Sequence, residues 1–147
     1  MTPRRATSED LSATLTLIRA AFAFMDGRID PPSSMHRLTK EDLANSEVWV
    51  IGSPPLACIV LTPKADALYL GKLAVAASER GKGHARALVN QAGRRARPLG
   101  MAALELQTRI ELVENQRTFE AMGFVEVART AHAGYDRPTS ITYRRPL

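Results

Sequence analysis

Between residues 67 and 100 the hydrophobic period of the chain changes, and the change is marked by Arg80-Gly81-Lys82-Gly83-His84-Ala85. Upstream, Ala67 to Val75 reads as a strand, with Gly71 inside it where a bulge is plausible. Downstream, Ala85, Leu88, Val89, Ala92 and Ala96 recur at helical spacing, while Arg86, Asn90, Arg94 and Arg97 lie largely on the other face. Pro98 and Gly100 stop the helix. A strand that turns through glycines into a helix leaves the first N–H groups of that helix without intrahelical acceptors, and together they form an anion cradle. Gly81 and Gly83 keep side chains out of it, and Lys82 adds positive charge.

Around this feature the elements follow in a readable order. Arg4 to Thr7 reads as a short strand, and Ser8 as the N-cap of a helix from Glu9 to Met25 with Leu11, Leu15, Ile18 and Phe22 on its buried stripe. Asp26 to Ser34, with its glycine and paired prolines, is a loop of a length that is often functional. Thr39 caps a short helix through Asn45. Val48 to Ile51 and Leu56 to Leu61 form a hairpin about Gly52-Ser53-Pro54-Pro55. Ala102 to Leu106 is a strand, Leu112 to Met122 a helix closed by Gly123, and Phe124 to Ala128 and Ser140 to Arg144 are terminal strands. The pattern is that of one domain over residues 1–147, a mixed α/β (α+β) fold with helices on its sheet.

Composition narrows the function classes. No apolar run approaches the ~20 residues of a membrane span, and no signal-peptide pattern opens the chain, so the expectation is a cytoplasmic protein without a membrane partner. Cys58, the single cysteine, excludes an internal disulfide and a multi-cysteine zinc site, and its apolar neighbours mark it as a buried small hydrophobe; no metal is expected. The net charge of +5 suits any polyanion. Dispersed basic residues and an aromatic content of 5% argue against a nucleic-acid partner.

Three phosphate-loop readings compete for residues 80–86. A Walker loop fails because no Gly-Lys is followed by Ser or Thr. A dinucleotide fingerprint beginning at Gly81 meets Arg86 where its third glycine belongs, and too little chain follows for a doubly wound sheet. The third reading is a resemblance. Arg80-Gly81-Lys82-Gly83-His84-Ala85 matches the Arg/Gln-x-x-Gly-x-Gly/Ala signature of the GNAT acetyltransferase superfamily, and Asn115 to Gly123-Phe124 resembles its Asn-x-x-Phe-Tyr-x-x-x-Gly-Phe helix.

What the resemblance implies is specific. It implies a mostly antiparallel sheet of six to seven strands, splayed between the fourth and fifth and flanked by about four helices. Acetyl-CoA would lie along Leu73, Ala74 and Val75, with Arg80, Gly81, Lys82, Gly83, His84, Ala85 and Arg86 at the diphosphate and Asn115 and Phe119 beside the arm. An amine acceptor would attack the thioester directly in a ternary complex, with the Val75 N–H on the oxyanion. Phe119 stands where the family often has the tyrosine that protonates the leaving thiolate, so Tyr135 and His132 become the candidate substitutes. Met25, Arg28, Asp30, Tyr69 and Glu105 are candidates for the acceptor side, Tyr69 and Glu105 as bases. A homodimer fits the family's habit. A CoA-binding module without turnover and a basic nucleic-acid adaptor are the rival readings.

Overall fold

A computed structural model describes residues Met1–Leu147. Seven strands form one open sheet in the order β1-β2-β3-β4-β5-β7-β6. They are β1 (Arg4–Arg5), β2 (Glu47–Ile51), β3 (Ala57–Pro63), β4 (Ala67–Val75), β5 (Ala103–Arg109), β6 (Val125–Thr130) and β7 (Ser140–Pro146). Every pairing is antiparallel except β4 with β5, which are joined by a right-sized crossover through helix α3 (His84–Ala96). The other helices are α1 (Leu11–Ala23), α2 (Lys40–Ala44) and α4 (Val113–Ala121).

Alternation along the strands builds two cores. On one face Cys58 and Val60 of β3 join Val48, Val50 and Ala74 beneath Leu11 and Ile18 of α1. On the other, Ile59 and Leu61 join Leu68, Leu70, Leu104, Leu106, Ile141 and Tyr143 beneath Leu88, Val89, Ala92 and Ala96 of α3. Phe119, Met122 and Phe124 extend this second core towards α4, with the Phe119 and Phe124 rings edge to face at 6.0 Å. Arg95 ties α3 to β2 through Glu47 at 2.7 Å.

The expected elements are present, with shifted ends. The first helix begins later than Glu9: Ser8–Asp10 is a 3-10 turn, because Asp10 accepts the Thr7 N–H at 2.7 Å and is gripped by both Arg4 nitrogens at 2.7 and 2.9 Å. The short helix is capped at Thr39 as expected, Thr39 and Asp42 exchanging hydrogen bonds at 2.9 and 3.1 Å. The last strand runs on to Pro146 and lies between β5 and β6, leaving β6 as an exposed edge. Residues of β5 beyond Leu106 also remain in the strand, held against β7 through Arg109 and Ser140.

Leu104 is fully buried at the centre of the larger core. Leu104→Ala is therefore expected to lower unfolding free energy by about 2–5 kcal/mol in a denaturant titration.

Candidate active site

The β4–β5 ladder is short. Only Ala67–Ala103, Leu68–Leu104 and Tyr69–Glu105 pair, and beyond them the strands part. The parting coincides with a bulge in β4: Gly71 faces Val60 and Ala74 faces Cys58, so β4 spends three steps where β3 spends two. The extra residue is taken up near Lys72, whose φ of 51° is in the left-handed region. A cavity of about 360 Å³ occupies the gap, with Lys72 and Leu73 on one wall and Leu106 and Thr108 on the other.

The wall on β4 is lined with backbone hydrogen-bonding groups. The Ala76 N–H donates to the Leu56 carbonyl at 2.8 Å, which makes Ala57 and Val75 a non-hydrogen-bonded pair. The N–H and C=O of Val75 consequently point away from β3, towards the side that β5 has vacated. Alternation turns the Leu73 groups the same way, and the Leu73 side chain lines the cavity. Ala74 faces the opposite core and is buried.

Next along the chain is the glycine turn. The backbone N–H groups of Arg80 through Arg86 donate to no acceptor in the protein; the first helical return is Ala87 N–H to the Gly83 carbonyl at 3.0 Å. Gly81 and Gly83 hold φ of 78° and 85°, and a Cβ on either would project into open space. Positive φ at alternating positions fans successive amides into one concavity at the start of α3, where the helix dipole adds its positive end. Ala85 is half-buried in the first turn, and Arg86 is exposed. Lys82 and His84 both reach Glu79, at 2.9 and 3.0 Å, and these two contacts, His84 first, hold the Glu79 carboxyl below its ordinary range. The charge of Lys82 is thus shared with Glu79. Arg80 lies 5.5 Å over the Phe24 ring.

At the other end of the gap, two loops meet over the cavity. Arg28 pairs with Glu114 of α4, and Asp30 receives the Tyr135 hydroxyl at 2.6 Å and Arg137 at 3.2 Å. Arg109 donates to the Pro31 and Pro32 carbonyls at 2.6 and 3.4 Å. Arg28, Asp30 and Tyr135 therefore latch the loops together and are not lining residues, whereas Met25, Tyr69, His132, Asn115 and Phe119 do line the cavity. Glu105 does not: Arg144 holds it at 3.0 Å and Lys64 at 3.7 Å. Lys64 also sits 4.1 Å over the Tyr69 ring, and burial pushes the Tyr69 phenol up, helped by Glu105.

His132 is a titratable group on the lining, and Thr139 holds it twice: the Thr139 hydroxyl accepts the His132 backbone N–H at 2.9 Å and shares a hydrogen bond with ring Nδ1. Burial, with Arg109 adding, pushes the imidazole below its ordinary value and keeps it neutral at pH 7. Cys58 is buried, and desolvation raises its thiol to about 12, which rules it out as a thiolate nucleophile.

Gln107, Thr108 and Arg109 were not anticipated as cavity residues, although they line it. Their polar run ended the apolar pattern of the strand, and only pairing with β7 keeps them extended. Thr108 is buried with its hydroxyl unpartnered, as is one carboxylate oxygen of Glu111. Thr108, facing a cavity at a strand end, had no motif to announce it.

A split ladder beside a fan of free amides is a fold-level feature, and a family comparison agrees with it. The model of the acetyltransferase (GNAT) domain matches residues 44–126, more than half of the chain. The chain belongs to the GNAT acetyltransferase family. Solved structures that resemble it over nearly their whole length have that fold. The PaiA N-acetyltransferase of Thermoplasma acidophilum, in complex with coenzyme A, is 14% identical with a TM-score of 0.80, the match covering 99% of this chain and 98% of that one. A GNAT-family acetyltransferase from Staphylococcus aureus Mu50 is 13% identical with a TM-score of 0.78, over 99% and 98%. The ribosomal-protein-S18-alanine N-acetyltransferase of Escherichia coli is 20% identical with a TM-score of 0.70, over 99% and 92%. No curated protein sequence matches the chain. In this GNAT domain no helix is long and apolar enough to cross a membrane, and no three His, Cys, Asp or Glu side chains gather as metal ligands would.

Proposed function

We propose that this GNAT protein is an acetyl-CoA-dependent N-acetyltransferase that passes the acetyl group from the thioester directly to a bound amine. The observation that carries the reading is the continuity of two unpaired backbone surfaces: the free amides of residues 80–86 and the β4 edge at Leu73 and Val75 that follows into the gap. The first suits the diphosphate of the carrier. The second suits the amides of its pantetheine arm, which would run between β4 and β5 with Asn115 and Phe119 alongside.

The chemistry follows from the groups that face the gap. The Val75 N–H would hold the oxyanion that develops on the thioester carbonyl, a donor fixed in place before the reaction begins. A lysine-like amine is protonated at pH 7, and releasing its lone pair costs ~3.4 pKa units, or roughly 4.6 kcal/mol. Neutral His132 would take that proton directly or through a water. The amine nitrogen then bonds to the carbonyl carbon, the tetrahedral adduct collapses, and the carbon–sulfur bond breaks. Phe119 cannot protonate the departing sulfur. A thiol with pKa ~8.5 leaves adequately as the thiolate, so the reaction does not require an acid at that position. Tyr135, with its proton held by Asp30, would serve as a latch between the two roof loops.

Gly83→Val would force a β-branched residue into positive φ and put methyl groups where the diphosphate belongs, without touching the rest of the fold. Calorimetric titration with acetyl-CoA should show affinity weakened about a hundredfold, the loss of roughly two charge-assisted hydrogen bonds; unchanged affinity would refute the cradle. His132→Gln should lower kcat about 10²-fold or more. The wild-type rate should fall as pH drops through the depressed His132 pKa, below 6.5, because only the neutral ring accepts a proton. That acidic limb should be missing in the variant.

A further inference from the structure

The acceptor half of the cavity is unusually one-sided in charge. Side chains alternate along β5, so Arg109 lies on the face opposite Leu106 and Thr108, where it meets the Pro31 and Pro32 carbonyls of the roof. The charged residues that line the cavity are Lys72 and Arg109, and no carboxylate lines it. Neither cation has a carboxylate within ion-pair distance. Of the acids nearby, Asp30 is engaged by Tyr135 and Arg137 and Glu114 by Arg28, while Glu111 accepts the Asp30 amide at 3.1 Å with its other oxygen unpartnered and Asp42 acts on Lys72 at longer range. Asp30 and Glu111 act on Arg109 only at longer range.

Arg109 is held without being neutralised. Its two terminal nitrogens each donate to a proline carbonyl, which fixes the plane of the guanidinium and leaves further N–H groups free. A planar, half-buried guanidinium with unused donors suits a carboxylate, which it can meet with two parallel hydrogen bonds. A second amine would instead bring positive charge towards Lys72 and Arg109.

We propose that the acceptor of this enzyme carries an anionic group, a carboxylate in its simplest form, beside the amine that is acetylated, and that Arg109 selects it. The substrate class is thus amino-acid-like, not polyamine or aminoglycoside. This rests on the acetyl-transfer reading above and adds the acceptor's charge to it.

The test uses the full chain and primary amines in matched pairs, each an amino acid and its carboxamide, so that size is kept and only the charge is removed. Acetyl-CoA affinity is measured by calorimetry, and thiol release is then followed for each pair. The expected result is kcat/KM about ten- to a hundredfold higher for the acids. That preference should be lost in Arg109→Gln through KM and partly kept in Arg109→Lys, with acetyl-CoA affinity unchanged in both. Equal or better turnover of the carboxamides, or a preference indifferent to Arg109→Gln, overturns the anionic acceptor and leaves the acetyl-transfer reading standing. Failure of the wild type to bind acetyl-CoA overturns both.

Discussion

Everything at this site depends on a hydrogen-bond ladder that stops after three residue pairs. Parallel strands β4 and β5 are zipped at Ala67, Leu68 and Tyr69 and open beyond. An open edge inside a sheet leaves backbone donors and acceptors without partners, which a protein tolerates only where water or a ligand can reach them. The bulge at Gly71 and Lys72 turns β4 away, and β7 holds β5 in line on its other side, so the gap is built into the pairing of both neighbours. Leu104 and Leu106 anchor β5 in the larger core, with Phe119 packed against it.

The gap joins two regions of opposite character. At the start of α3 the backbone supplies the positive potential, through unpaired amides and a helix dipole, with Glu79 tempering Lys82 and His84. At the roof a side chain supplies it, through Arg109, while Asp30 and Glu114 are drawn into latches. Between them sits a neutral imidazole. One end therefore suits a multiply charged group and the other a singly charged one.

Much of this was legible in the sequence because it is local. The strand Ala67–Val75, the glycine turn, the stripe of α3 and the helix expected over Leu112 to Met122 are each encoded within a dozen or so residues, and the structure has them there, the last as Val113–Ala121. The bulge was signalled by Gly71, although the residue in the left-handed region is Lys72. What was not legible depends on partners distant in the chain. Gln107, Thr108 and Arg109 are strand residues only because β7 pairs with them, and Arg28, Asp30 and Tyr135 are latches only because Glu114 and one another lie opposite. Glu105 likewise meets Arg144 and Lys64, neither of which is near it in the chain.

If backbone groups, not side chains, grip the acetyl carrier, amide hydrogen exchange reads those groups one by one. With acetyl-CoA added, exchange at residues 80–86 and at Leu73 and Val75 should slow, while the α1 face of the sheet stays as it was. Slowing confined to other segments, or no change at these amides when the ligand is saturating, would rule out a backbone grip.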